Sequence, residues 1–399
     1  MVRDLCAFLR NGFFLLIAVA SYTDNVVCLS PFVNKESRFQ TLNINGIKAK
    51  SLGFGYFTVK TALNPVFISL LTRGQCENNH RYYRISEPND EYWYSLSPIF
   101  RSINGKNAWR LSGLKRAYVA VIDTGVDIFH PDLAGRVDTD LAYNATTDED
   151  NLIKDVSDPD GHGTHVAGIV AARANNGIGG LGISKNAKII PIRVLDQEGN
   201  IYLSYVLDAY IYVALLREAK LPVRVINISL GSPTYSDLEK NLLKELERRG
   251  VIVVAAAGNE SEDFDTYPIY PAGYKLVNVT SVGSGFYDPD TKTGSLSSFS
   301  NYGQGVKIIA PGDEILSTIP ANQYAVLSGT SMATPFVAGG FALYFGLKPK
   351  ATVKDAMRNL LNSCRKVKEL RHYAKNGCYL DIGNFLKRAT HKSENKKRR

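Results

Sequence analysis

Three short segments carry residue types that together can break an acyl bond. Asp123 follows directly on the apolar run Tyr118-Val119-Ala120-Val121-Ile122. His162 opens the small-residue stretch His162-Gly163-Thr164-His165-Val166-Ala167-Gly168, and Ser331 lies in Gly329-Thr330-Ser331-Met332-Ala333-Thr334-Pro335. A serine hydroxyl attacks an amide at neutral pH only when a neutral imidazole takes its proton as the new bond forms. The imidazolium so created needs a fixed carboxylate on its other nitrogen, which also selects the tautomer facing the serine. Asp123, His162 and Ser331 supply acid, base and nucleophile. Asn259 follows the apolar run Val251 to Ala256 through Ala257-Gly258 and offers an amide for a developing oxyanion. The Ser331 N–H, at a helix start, offers a second donor. Alone, Gly258-Asn259 reads as a turn dipeptide, and only the company of the other three segments raises it.

These residues need elements that bring them together. Apolar runs without polar alternation fall at Tyr118 to Ile122, Ile189 to Val194, Val223 to Leu230, Val251 to Ala257 and Val277 to Val282. Helical stretches lie between them at His162 to Ala174, Ser204 to Ala219 and Asp237 to Arg249, the last with Leu238, Leu242 and Leu246 every four residues. The alternation predicts a mainly parallel sheet covered on both faces. Loops at the carboxyl ends of such strands are where open α/β sheets gather functional groups.

Other motifs fail on context. Gly177-Ile178-Gly179-Gly180-Leu181-Gly182 satisfies the dinucleotide fingerprint, but a helical stretch precedes it and a strand-like run follows, the reverse of what the fingerprint requires. An esterase elbow would order its residues Ser, acid, His, whereas here the order is Asp, His, Ser. His162 and His165 lack the glutamate of a zinc helix, so His165 reads as a packed helix residue. Asn144-Ala145-Thr146 is a glycosylation sequon in a predicted loop.

At 399 residues, 45% hydrophobic and 21% charged, the chain is globular in composition. Of its formal charge of +9, +6 lies in the tail Lys387 to Arg399, which reads as a solvated, disordered end. A nucleic-acid-binding face is not indicated. Arg3 and Arg10 precede the apolar run Phe13 to Ala20, which resembles a cleavable signal and falls well short of the roughly 20 residues that span a bilayer. Export permits disulfides, and Cys364 with Cys378 is the expected pair, Cys28 with Cys76 a weaker one. Glu87-Pro88-Asn89-Asp90 marks a boundary. Arg81-Tyr82-Tyr83-Arg84 fits a processing site or an ordinary strand equally well.

The segments around Asp123, His162, Asn259 and Ser331, in this order and spacing, resemble those of subtilisin-like serine proteases from about Pro88 to Leu386. The resemblance implies a three-layer α/β fold and a secreted zymogen: signal peptide 1–20, small α+β prodomain 21–87, peptidase domain 88–386 and tail 387–399. It implies a serine endopeptidase with catalytic Asp123, His162 and Ser331 and oxyanion donor Asn259. Substrate would pair in extended form with Ser229-Leu230-Gly231, opposite a wall of Ala256-Ala257-Gly258, and Ile269 would narrow the pocket base. One structural Ca2+ would be held by Asp90, Asp132 and Asn176 with the carbonyls of Ala174, Ile178 and Gly180. The acidic run Asp148, Glu149, Asp150, Asp155, Asp158 and Asp160 reads as a solvated loop ahead of a second ion site. Expected partners are protein or peptide substrates and the chain's own propeptide as an intramolecular inhibitor, with no nucleic acid, no membrane span and a monomeric state. The rival class is a protease-like binding protein that keeps the groove without the chemistry. Phe336, where the family often has histidine, and the Cys364 to Cys378 region depart from the family pattern without touching these residues.

Overall fold

The structure is a computed structural model that describes residues 87–113, 115–147 and 154–397, the side chains of the last helix only as far as Thr390. Ahead of these it describes the backbone of five strands. The chain divides into two compact units, 1–86 and 87–399. In the first unit, β1 (Asn25–Leu29), β2 (Arg38–Ile44), β3 (Ile47–Gly53), β4 (Tyr56–Lys60) and β5 (Gln75–Asn78) form a sheet of order β2-β3-β4-β1-β5. Its pairings are antiparallel, and the register sets Cys28 opposite Cys76. The signal segment, Cys6 and Arg81 to Arg84 lie outside the described residues.

The second unit opens with α1 (Trp93–Ser102) and α2 (Gly105–Leu111). Its sheet is built from β6 (Ala117–Asp123), β7 (Tyr143–Asn144), β8 (Ala187–Arg193), β9 (Val223–Ile228), β10 (Ile252–Ala256), β11 (Val279–Asp288), β12 (Thr293–Leu296) and β13 (Ile308–Ala310), with β16 (Arg365–Lys366) and β17 (Cys378–Tyr379) at one edge. The order is β16-β17-β13-β11-β10-β9-β6-β8-β7, with β12 antiparallel on β11, β16 antiparallel on β17 and the other pairs parallel. Every residue of β10 is buried, as a strand covered on both faces requires.

The remaining elements are α3 (His162–Ala171), α4 (Leu203–Glu218), α5 (Asp237–Arg248), the hairpin β14 (Ile315–Ile319) and β15 (Gln323–Leu327), α6 (Thr330–Leu347), α7 (Val353–Ser363) and α8 (Ile382–Lys397). α3 and α6 pack on each other, α4 and α5 pack on each other, and both pairs touch the central strands. They therefore cover opposite faces and complete three layers. α6 is apolar all round and buried along nearly its whole length, which is the pattern of a central helix.

After β6 the chain places β8 on one side, then crosses to β9 on the other. This reversal makes the carboxyl end of β6 the topological switch point, the position at which such sheets bind ligands. Strand and helix cores fall where the hydrophobic pattern puts them, with ends shifted by a few residues. β11 runs on to Asp288, well past the expected end at Val282, because β12 folds back onto it. Two expectations change. α8 continues through Lys387 to Lys397, so the basic tail is helical over most of its backbone. Asn144 is 5% exposed, and its amide oxygen accepts the Thr146 N–H and hydroxyl, so this sequon is buried.

Cys364 and Cys378 are bonded and close a short loop beside the β16–β17 pair. Replacing both by Ser should lower the free energy of unfolding by roughly 2–4 kcal/mol. Denaturant titration checks this: reductant should reproduce the loss in the native chain and leave the double variant unchanged.

Candidate active site

Asp123 ends β6 with its side chain fully buried. One carboxylate oxygen, Oδ1, accepts the Thr124 N–H at 2.8 Å and meets His162 Nδ1 at 2.6 Å. The other, Oδ2, has no partner among the described residues. A buried carboxylate with this little hydrogen bonding depends on a cationic or donating neighbour, and the imidazole is that neighbour. His162 is the first residue of α3, and its side chain is 23% exposed, so the ring has a buried edge on Asp123 and an edge open to solvent. The approach needs a glycine next door: a β-carbon on Gly163 would come within 2.0 Å of the Gly125 carbonyl oxygen and 3.0 Å of Asp123 Cβ.

Burial alone would lower the His162 pKa, but the charge and hydrogen bond of Asp123 outweigh it, aided by Asp160 and Asp158, and hold the imidazole well above its ordinary value. His165, one turn on, behaves oppositely. Burial pushes it down to about 4, and its Nε2 lies 3.0 Å from both the Ile315 and the Ala325 carbonyl oxygens. It is a neutral clamp on the β14–β15 hairpin, as expected of a packed residue.

Ser331 is the second residue of α6. Pro335, four residues on, has no N–H for the Ser331 carbonyl. The Ser229 hydroxyl fills that place at 2.8 Å, and the Ser331 hydroxyl in turn donates to the Ser229 carbonyl at 3.0 Å. A proline inside the helix thus ties the serine to the end of β9. In this conformation the hydroxyl is directed at Ser229 rather than hydrogen-bonded to His162.

Asn259 lies on the exposed turn after β10. Its oxygen accepts the Thr330 N–H and hydroxyl at 2.8 and 2.9 Å, which turns its NH2 away from Thr330. The position of an absent β-carbon on Gly329 is 3.5 Å from Asn259 Nδ2 and 3.6 Å from Ser331 N. Two N–H donors therefore border one small space that a side chain would fill. Such a pair can hold an oxyanion.

Ser229, Leu230 and Gly231 continue from β9, and Ala256 ends β10 with Ala257 and Gly258 following it, so the two triplets leave the sheet side by side at its carboxyl edge. Ser232 and Tyr270 exchange both backbone hydrogen bonds at 2.8 and 2.9 Å, which brings the 268–274 segment to the same place.

The remaining expected residues gather elsewhere, on the loop after α3. Asp132 and Asp90 are buried there. Asp132 accepts from Asn176 Nδ2 at 2.8 Å and Gly180 N at 3.0 Å, while Asp90 accepts from the N–H groups of Asn175 and Asn176 at 2.9 and 3.3 Å. Burial pushes the Asp132 carboxyl up to about 6 against these bonds, and the Asp90 charge adds to the rise. Ala174 is half-buried, Ile178 exposed and Gly180 buried on that loop. Two buried carboxylates beside a glycine-rich backbone suit a hard cation in donor type. Among the described residues no group of three or more His, Cys, Asp or Glu could hold a metal, so carbonyls would have to complete the set. In this conformation Asn176 turns its NH2, not its oxygen, to Asp132.

Asp158 was expected in a solvated loop. It is 7% exposed and accepts four hydrogen bonds. Its place four residues before His162 is the one signal in the sequence. Asp148, Glu149 and Asp150 lie outside the described residues.

A serine whose N–H borders one small space with a second amide donor, tied to the strand end beside that of a paired aspartate and histidine on a three-layer α/β scaffold, is the donor set of a serine hydrolase. The model of the subtilase family matches residues 115–378. The thermophilic serine proteinase of Bacillus sp. (strain AK1) is 38% identical over 310 residues, covering 77% of this chain and 69% of that protein. Thermitase of Thermoactinomyces vulgaris is 39% identical over 254 residues, covering 63% and 83%. A solved structure described as proteases from Pseudoalteromonas arctica PAMC 21717 superposes with a TM-score of 0.64 at 28% identity, covering 76% of this chain and all of that one. The chain belongs to the subtilase family and is a serine-type endopeptidase.

The raised His162 pKa has a sign. Because the folded value exceeds the unfolded one, near 6.5, the pair adds stability below pH 6.5 and loses it as pH rises through the folded value. Titration of the ring followed by NMR should give a midpoint above 6.5, and Asp123→Asn should bring it down. A native midpoint at or below 6.5 would contradict the assignment.

Proposed function

We propose that the chain is a secreted, calcium-stabilised zymogen whose mature form hydrolyses peptide bonds through an acyl-enzyme made by Asp123, His162 and Ser331. The observation that carries this reading is the 2.6 Å contact between His162 and the buried Asp123, one strand end from the serine tied to Ser229. For attack, the Ser331 hydroxyl turns about its Cα–Cβ bond from the Ser229 carbonyl to His162 Nε2. Oγ then bonds the scissile carbonyl carbon as the proton passes to Nε2, and Asp123 holds the imidazolium. The oxyanion sits between Ser331 N and Asn259 Nδ2. His162 returns the proton to the leaving amine, and water deacylates the enzyme by the reverse route. The substrate backbone lies extended along Ser229, Leu230 and Gly231, a sequence-independent contact.

Ile269 sets what fits beside that backbone. A β-carbon on Gly231 would come within 2.3 Å of Ile269 Cγ2, and one on Gly258 within 2.9 Å of Ile269 Cγ1. The isoleucine thus occupies the gap between the two walls, which favours a small side chain on the acyl side of the cut. Residues 1–20 are read as a signal and 21–87 as a propeptide that blocks the groove until removed. The supports are the apolar run at the start and the five-stranded unit that closes at residue 86. Among the described residues no helix is long and apolar enough to cross a membrane.

Asp90, Asp132, Asn176 and the carbonyls of Ala174, Ile178 and Gly180 would hold one Ca2+. When bound it supplies positive charge to two buried carboxylates and fixes the loop; it has no part in the chemistry.

A fluorophosphonate probe should label the mature protein covalently, and Ser331→Ala should abolish labelling. Labelling that persists, or a folded, matured native protein that stays unlabelled, would sink the reading. Ile269→Gly should raise kcat/KM for Phe over Ala at the acyl-side position by about tenfold or more, within the 10–200-fold that differences in apolar fit command. Chelation should lower Tm and added Ca2+ restore it, the folded state gaining about 2.7 kcal/mol at a hundred times Kd. Asp132→Asn should remove that response.

A further inference from the structure

A buried carboxylate outside the acid–base–nucleophile set joins the two elements that carry the acid and the base. Asp158 Oδ1 accepts the Thr124 hydroxyl at 2.7 Å and the Gly161 N–H at 2.9 Å. Its Oδ2 accepts the Thr164 N–H at 2.8 Å and the Thr164 hydroxyl at 2.6 Å. Thr124 is the residue after Asp123, and its oxygen also accepts the Gly163 N–H at 2.9 Å. Gly161 and Gly163 flank His162.

The start of α3 explains why such a device is needed. Its N-cap is Gly161, which has no side chain to cap the free N–H groups of the first turn. The His162 N–H goes to Asp160 at 3.2 Å, that of Gly163 to Thr124, and that of Thr164 to Asp158. The helix is capped from the preceding loop and from the end of β6. The cap and the acid–base alignment are therefore the same piece of structure.

We propose that Asp158 is a positioning residue for the hydrolytic reaction, locking the end of β6 to the start of α3 through Thr124 and Thr164 and so fixing the Asp123–His162 contact. The proposal rests on the reading of Asp123 and His162 as the catalytic pair. Asp158 touches no reacting atom. It acts through Thr124, which fixes where Asp123 leaves the strand, and through the first turn of the helix, which fixes where the imidazole begins. Its charge also lies at the positive end of the helix dipole, where an anion is stabilised. The charged or titratable groups that face His162 are Asp123, Asp158 and Asp160, with His165 one turn further along the helix.

The test compares the matured native protein with Asp158→Asn, Thr124→Val and Thr124→Ser, reading kcat, KM and the pH profile of kcat/KM on one peptide substrate. In Asp158→Asn an NH2 replaces one acceptor oxygen and faces N–H groups on either side, so one half of the bridge is lost. The expected result is a fall in kcat of about tenfold to a hundredfold, the size of effect that a misplacement near 1 Å produces. KM should change little, since ground-state binding is untouched, and the acidic limb should move to lower pH with the loss of a negative charge. Thr124→Val should lower kcat in the same way, and Thr124→Ser should restore it. Combining Thr124→Val with Asp158→Asn should cost no more than the larger single effect.

A lowered Tm with kcat and the acidic limb unmoved would make Asp158 merely structural and overturn the proposal. So would equal behaviour of the Val and Ser variants, or additive losses in the double variant. If Asp158→Asn does not fold, the Thr124 pair decides alone. Asp123→Asn separates the two readings: if it too leaves kcat intact, the catalytic pair is wrong; if it alone collapses activity, only the positioning role is.

Discussion

The second unit places one carboxylate, that of Asp123, out of contact with water at the end of a central strand. Asp123 is fully buried, one of its oxygens has no partner among the described residues, and the other is held by one backbone N–H and one imidazole. Removing a carboxylate from water costs several kcal/mol unless close partners compensate. The imidazole compensates most when protonated, so the site stabilises the imidazolium that the proposed serine attack would generate. The cost of burying Asp123 and the role proposed for His162 rest on the same electrostatic interaction.

Keeping that pair aligned falls to backbone groups that ordinary helices leave to solvent. α3 and α6 both begin at glycines with no side-chain cap. In α3 the unsatisfied N–H groups are taken by Asp160, Thr124 and Asp158, so the helix start is fixed to the strand that carries the acid. In α6 one N–H goes to Asn259, and the N–H of Ser331 has no hydrogen-bond partner among the described residues. It stays available beside Asn259 Nδ2 because Gly329 puts no side chain there. One helix start is fully satisfied and holds a residue in place; the other is left partly open, which suits it to the proposed oxyanion.

What the sequence made legible follows from which interactions are local. The apolar runs gave the parallel strands, and residues at their carboxyl ends, such as Asp123 and Asn259, could be placed from the pattern alone. The identities of His162 and Ser331 were legible because few residue types perform their chemistry. The Asp158 bridge was hidden. Its partners Thr124 and Thr164 lie on different elements, and an aspartate among acidic neighbours looks solvated until the fold buries it. Pro335 was hidden for the same reason: its missing N–H matters only because the hydroxyl of Ser229 stands opposite the orphaned carbonyl. Asn144 erred the other way, since a sequon reads as a loop and a two-residue pairing with β8 was enough to bury it.

The reciprocal contact between Ser229 and Ser331 joins the proposed nucleophile to the proposed substrate strand. The Ser229 carbonyl that accepts the Ser331 hydroxyl belongs to the segment along which an extended peptide would pair. A carbonyl has two lone pairs, and a peptide N–H bound to this oxygen would share it with the serine hydroxyl. On the proposed reading, hydrogen bonding to a peptide would weaken the hold on the hydroxyl, and His162 Nε2 would be the acceptor left to it. The Ser229 side chain meanwhile keeps the Ser331 backbone fixed, so the hydroxyl can turn while the helix start stays still. The division of labour within one residue, side chain for position and carbonyl for exchange, depends on the proline four residues downstream.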